Sequence, residues 1–150
     1  MRRGIAACHD MGNAHFMTLF ETALAEAEAE AGEIEGALAR IDHVLALTER
    51  TCQRWSEVDT HRARGEILLK RDPANTVPAE EAFLTAITIA QQQKARSFEL
   101  RAALSLAKLY HSTDRPADAH AVLASALKGF SPTPEFPEIA EAQTFLAKTD

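Results

Sequence analysis

A chain of 150 residues, 46% hydrophobic and 25% charged, has ordinary globular composition and is long enough to bury a core as one domain, 1–150, without disulfide staples. Its formal net charge of -6 and pI near 5.5 argue against nucleic acid, which needs a basic footprint, and against an anionic membrane surface. Two cysteines, Cys8 and Cys52, make no disulfide framework, no apolar run reaches the length of a membrane span, and the start "MRRGIAACHDMGN" lacks the apolar stretch of a signal peptide, so a cytoplasmic protein is expected. Aromatics are only 6%, and glycine and proline number six each. That composition favours helices with a core of Ala, Leu, Ile and Val over a many-turned β protein.

In chain order, Met1 to Asp10 reads as a fragment of a helix without a partner before it. Hydrophobic spacing predicts helices over 13–31 and 34–49, with Gly32 suited to the left-handed position between them and Glu33 and Glu35 near the second N-terminus. A third runs from Ser56 to about Arg71, and "SEVD" (Ser56 to Asp59) has the form of a capping box. The prolines and Asn75 of "DPANTVP" mark a loop. Helices are then expected from about Pro78 to Gln93, Ser97 to Ser112, Pro116 to Lys128, and, after the stiff connector "SPTPEFP", from Pro137 to Lys148.

Several helices joined by short turns invite a search for repeats. Three small anchors and one larger residue recur: Ala25, Ala37, Ile41 and Val44; Gly65, Ala79, Phe83 and Ala86; Ala107, Ala119, Leu123 and Ala126. The first and third sets stand 82 positions apart throughout, as in Ala25 and Ala107, and the longer proline loop displaces the middle set. The period is about 41 residues, with repeats at approximately 13–49, 56–94 and 97–129 and a terminal helix at 137–148.

This pattern resembles the tetratricopeptide (TPR) repeat. "LSLAKLY" supplies Leu106, Ala107 and Tyr110 at its conserved spacing, while His61 and Arg64 in the second repeat, and Glu21 and Glu28 in the first, occupy positions that are usually apolar. The runs "RWSEVDTHRARGEILLKRD", "AEEAFLTAITIAQQQKARSFELRAALSLAKLY" and "PADAHAVLASAL" are similar to the C-terminal repeat region of bacterial signalling proteins that join a class III adenylate/guanylate cyclase or a transcription-regulator domain to an ATPase module. Phe136 stands where that family places a capping threonine. The resemblance implies an all-α, TPR-like α-solenoid of about three antiparallel helix pairs plus a C-terminal capping helix. It implies a protein-interaction scaffold, or a regulatory subunit acting on a linked or separate ATPase or nucleotide cyclase.

The chain has no G-x-x-x-x-G-K-[ST] loop for a triphosphate, so no cofactor is expected. Cys8 and His9 are adjacent, and His111 and His120 flank a turn, which is not zinc-ligand spacing; no metal is expected. Cys52 lies beside Arg50 and Arg54, which favour thiolate, but no base or pocket accompanies it, so a metal- or thiol-dependent enzyme is the remote reading and catalytic residues are none. Glu26, Glu28, Glu30, Glu33 and Glu35 read as a solvated face, the commoner role of such a run, with attraction of a cation or a basic partner as the alternative. The TPR pattern places Asp59, Arg62, Glu66 and Leu69, and then Arg101, Leu104, Lys108 and His111, on the concave face, where Arg62, Arg101 and Lys108 either simply solubilise the surface, the commoner role of such charges, or dock an acidic or C-terminal peptide of a protein partner. The two-carboxylate clamp of heat-shock co-chaperones is not reproduced, because Thr22, Glu26 and Ser105 stand where it uses amides and bases. His61 and Arg64 are expected to join a helix-to-helix hydrogen-bond network. The exposed end of the array offers a route to self-association.

Close helix approach at Ala119 and Ala126, with Leu123 between them, predicts that Ala119→Leu overpacks the third repeat. A loss of about 1–3 kcal/mol should appear as a lower melting temperature, and an unchanged one would refute the placement.

Overall fold

The structure, a computed structural model, describes residues 16–51, 54–130 and 136–149. The segment Met1 to Asp10, the expected helix start at 13–15, Cys8, His9, Cys52 and most of the connector after Phe130 lie outside the described residues. Among the described residues all regular structure is helical. The helices are α1 (Met17–Glu30), α2 (Ile34–Thr51), α3 (Glu57–Arg71), α4 (Val77–Gln93), α5 (Arg96–Ser112), α6 (Pro116–Leu127) and α7 (Pro137–Thr149), with a 3₁₀ turn at Arg54–Ser56 before α3.

The turns follow from backbone chemistry. Gly32 takes φ 88°, and the N–H groups of Gly32 and Glu33 donate to Ala29 and Glu28 at 3.1 and 2.9 Å, closing α1 with a Schellman motif. The same motif closes α5, where Asp114 at φ 59° holds the left-handed position and Arg115 N–H donates to the Tyr110 carbonyl at 2.8 Å. Gly32 and Asp114 are separated by the same interval as Ala25 and Ala107, so the repeat includes its turn as well as its core. Lys94 closes α4 in the same way at φ 55°.

The helices pack in sequence as antiparallel pairs, α1 with α2, α3 with α4 and α5 with α6, and α7 covers α6 and α5. Each even-numbered helix also packs on the odd-numbered helix that follows it, and α1, α3 and α5 touch in succession. By contrast α2 and α4 make little or no contact with each other. The result is a layer of odd helices in mutual contact, backed by even helices that stand apart.

All the small anchors are buried. Ala25, Ala37, Ala79, Ala86, Ala107 and Ala119 are fully inaccessible, as are Ile41, Val44, Phe83 and Leu123 between them, with Ala126 at 2% and Tyr110 at 7% exposed. Gly65 shows why smallness matters: a Cβ there would lie 2.4–2.7 Å from three ring carbons of Phe83, itself enclosed. A side chain would force α3 and α4 apart.

Two local expectations are corrected. Ser56 precedes α3, but its hydroxyl makes no cap; it donates to Thr18 Oγ1 on α1 at 2.6 Å, and Asp59 is occupied by arginines, so the capping box does not form. The acidic run is not one solvated face. Glu28 is buried and grips Arg40 through two bonds of 2.8 Å, while the same guanidinium also bonds Glu21. Glu26 pairs with Arg62 and Glu30 with Lys70, which leaves Glu33 and Glu35 to solvent. The charged residues at normally apolar positions of the first pair are thus neutralised from α2, which clips α1 and α2 together through Arg40.

Gly65→Ala should destabilise the protein, although alanine is favoured over glycine in a helix by about 1 kcal/mol. Overpacking against the Phe83 ring costs about 1–3 kcal/mol and decides the sign. Chemical denaturation should show a lower midpoint for Gly65→Ala, partly restored by adding Phe83→Leu; a stabilised single variant would refute the close approach.

Candidate functional site

Two surfaces carry functional side chains. The first is the face of the odd helices, where a polar ladder crosses from helix to helix. At one end the Ser56 hydroxyl bonds Thr18, and Thr60 donates to the Ser56 carbonyl at 3.0 Å. Because that bond uses the one proton of Thr60, Thr22 is the donor in the 2.9 Å contact between the two threonine hydroxyls. Next comes a chain of charges: Arg62 Nε donates to Asp59 at 2.9 Å, Arg62 Nη2 donates to Glu26 on α1 at 2.8 Å, and Arg101 on α5 reaches the same Asp59 oxygen at 3.4 Å. Ser105 then donates to Glu66 at 2.6 Å, and Lys108 meets Glu141 of α7 at 2.7 Å.

The residues expected on the concave face therefore have different fates. Asp59 and Leu104 are buried, and the Arg62 side chain is only 13% exposed, so these three belong to the packing between helices. Burial alone would lower the Arg62 pKa, but Asp59 and Glu26 more than offset it, and the guanidinium stays firmly charged. Glu66 is half-buried against Ser105, and Leu69 is half-buried. Arg101 and Lys108 keep 37% and 56% of their side chains exposed, and His111 is exposed with its ring edge-on to Phe145, centroids 5.6 Å apart. Three expected cations thus become one buried strut, Arg62, and two accessible charges.

The second surface is the gap between α2 and α4. A cavity of about 540 Å³ opens there over α3, whose His61, Arg64, Leu68 and Arg71 form its floor. Glu35, Leu38, Ala39 and Asp42 of α2 make one wall, and Pro78, Glu81, Ala82 and Thr85 of α4 the other. A second cavity of about 340 Å³ shares Asp42, His61 and Arg64 and continues along α2 past Leu45, Ala46 and Glu49. Arg64 spans to Asp42 at 3.3 Å, as a helix-to-helix network requires. His61 does not join it: among the described residues it has no hydrogen-bond partner and faces the cleft. Burial lowers its pKa, reinforced by the Arg64 charge and opposed by Glu57.

This cleft is the feature that reading the TPR pattern alone overlooks. Its signal is present in the sequence, because the polar residues at two apolar positions, His61 and Arg64, mark its floor. Among the described residues no cluster of three or more His, Cys, Asp or Glu side chains could hold a metal, and no helix is long and apolar enough to cross a membrane. Comparison with protein-family models, curated proteins and solved structures finds no match. The fold thus stands as an all-helical array of sequential antiparallel pairs.

The lowered His61 pKa sets a pH dependence. In the unfolded chain His61 binds its proton near the ordinary value of about 6.5, whereas the folded protein resists protonation, so the unfolded state takes up more protons on acidification. The contribution of neutral His61 is present above that value and is lost as pH falls through it toward the lower folded value. Stability measured by denaturant between pH 7.5 and 5.5 should fall less steeply in His61→Gln than in the wild type; identical slopes would refute the burial effect.

Proposed function

We propose that the protein is a non-catalytic scaffold for protein–protein interaction, built as a TPR-like α-solenoid in which α1, α3 and α5 line the concave face and α7 caps the array. The observation that carries this reading is the recurrence, every 41 residues or so, of inaccessible small anchors at the crossings of successive antiparallel helices. The resemblance to the repeat region of cyclase- and ATPase-linked bacterial regulators supports a signalling setting in the cytoplasm, with the array as the regulatory part. Its partner is a protein segment, and no bond is made or broken.

On the concave face the accessible cations are Arg101 and Lys108, and an acidic or C-terminal segment is their natural occupant. Lys108 is held by a surface ion pair to Glu141, a kind that contributes at most about 1 kcal/mol, and Arg101 reaches buried Asp59 at 3.4 Å while 37% of its side chain stays exposed. An incoming carboxylate can therefore replace Glu141 or share Arg101 without disturbing the core. Arg62 is excluded from this role by its burial.

The test is an Arg101→Ala/Lys108→Ala double variant, leaving Arg62 in place. In pull-downs followed by titration of the recovered partner, the variant should lose about tenfold or more in affinity, with a salt dependence that the wild type shows and the variant largely lacks. Undiminished affinity in a variant with wild-type melting temperature would refute the concave face as the docking surface.

A further inference from the structure

The cleft wall made by α2 has a seven-residue periodicity that the packing of the chain uses only in part: Leu38 is buried in the core and Leu45 packs against it, while Glu35, Ala39 and Ala46 are exposed. The buried residues of α2 are Ala37, Leu38, Ile41, Val44 and Thr48. An adjoining face repeats every seven residues: acidic at Glu35, Asp42 and Glu49, leucine at Leu38 and Leu45, alanine at Ala39 and Ala46. All of these line the cleft. A seven-residue repeat keeps one face of a helix turned toward a single neighbouring helix over several turns, with large residues as knobs and small ones as the space that receives them. Among the described residues α3 meets this face only from the floor of the cleft, and α4 stands across the gap and hardly touches α2.

Charge selects the occupant. The acidic groups on the cleft are the three of α2, Glu81 of α4 and Glu57 at the start of α3, against Arg64 and Arg71. Arg64 is already neutralised by Asp42, and Glu57 by Arg54 at 2.7 Å. Glu35 and Glu81 have no ion-pair partner among the described residues and stand on opposite walls. A cationic helix between them would meet carboxylates on both sides of an apolar seam. Arg71, at the end of the cleft beside Glu35 and Glu81, also has no ion-pair partner among the described residues and favours the negative C-terminal end of a docked helix there.

We infer that the α2–α4 cleft docks a cationic amphipathic helix of a partner protein, with a Leu/Ala seam over exposed Ala39 and Ala46 and the outer edge of half-buried Leu45, and Lys or Arg side chains against Glu35 and Glu81. This rests on the scaffold reading but uses the side opposite the concave face, so either surface can fail without the other.

The test uses the full chain and a labelled synthetic helix of about three heptads with a Leu/Ala seam flanked by lysines. Its controls are a scrambled peptide of equal composition and a glutamate-flanked version, and the readout is fluorescence anisotropy at low and moderate salt. The lysine-flanked helix should bind, the scrambled one about tenfold or more weaker. Glu35→Lys/Glu81→Lys, both at exposed positions, should weaken binding by about tenfold or more and gain affinity for the glutamate-flanked helix. Ala39→Trp, which fills the seam without changing charge, should block both peptides. Arg101→Ala/Lys108→Ala should leave the affinity unchanged. Equal binding of the scrambled peptide, equal affinity of the charge-reversed variant, or preference of the wild type for the glutamate-flanked helix would overturn the inference. So would loss of binding in the Arg101→Ala/Lys108→Ala variant, which would move the site to the concave face. A dimer in sedimentation velocity that Glu35→Lys/Glu81→Lys disperses, with no peptide binding, would assign the cleft to a second copy of the chain and overturn it as well.

Discussion

The carboxylate of Asp59 is the point on which the odd-helix layer is registered. It accepts a hydrogen bond from Arg62 on its own helix and forms an ion pair at 3.4 Å with Arg101 on α5, while Arg62 reaches back to Glu26 on α1, so one chain of charges ties three helices. Buried ion pairs are poor sources of net stability, because desolvation cancels most of the Coulomb attraction. Their sensitivity to misalignment is another matter. A shift of α3 by one turn relative to α1 or α5 would strand Asp59 or Arg62 in the packed interior without a partner, at a cost of several kcal/mol. The chain therefore discriminates between registers that apolar packing alone would tolerate. The Thr18–Ser56 and Thr22–Thr60 contacts extend that discrimination along α1 and α3.

Within each pair, the spacing is set by small residues and not by charge. Gly65 admits the Phe83 ring where no Cβ would fit, and Ala107 and Ala119 do the corresponding work between α5 and α6, where both are inaccessible. Such sites offer little apolar area of their own. What they provide is contact between larger neighbours, Phe83 and Leu123, at interior density. The first pair departs from this scheme by placing Glu21 and Glu28 at normally apolar positions and closing them with Arg40. Charge there substitutes for side-chain volume, and the anchors Ala25, Ala37, Ile41 and Val44 remain buried beside it.

Helix positions were readable in the sequence because hydrophobic spacing, Gly32, Pro116 and the proline-bearing loop are local signals, and the helix boundaries lie within a few residues of the expectation. The pairing of helices was readable through the 41-residue recurrence of anchors. The destinations of polar side chains were not. Ser56 had the form of a helix cap, but a hydroxyl on a neighbouring helix, 38 residues away in sequence, captured it. Glu28 looked solvated until Arg40, 12 residues on, supplied a partner from α2. Arg62 looked like a free cation until Glu26 and Asp59 closed around it. Each outcome depends on which charges meet across an interface, and a single helix's periodicity carries no information about that.

The cleft lies where the repeat pattern lapses, and the lapse sets the chemistry of its floor. Two positions that are His61 and Arg64 on α3 are, at the interval separating Gly65 from Ala107, Ala103 and Leu106 on α5. Both of these are inaccessible, whereas His61 and Arg64 are only half-buried. Apolar side chains at such positions are stable when covered, because burial removes hydrocarbon from water. A guanidinium and an imidazole reverse the preference: closing the gap would desolvate both, and Asp42 alone does not satisfy them. Polar residues on α3 thus give the gap between α2 and α4 a polar floor, and the exposed positions of the α2 heptad face the same opening. Natural sequences depart from local consistency most often where another requirement acts on the same residues. Here the lapse on α3 and the exposed part of the α2 heptad fall on two sides of one cleft, which is the arrangement expected if a third helix, from another molecule, completes it.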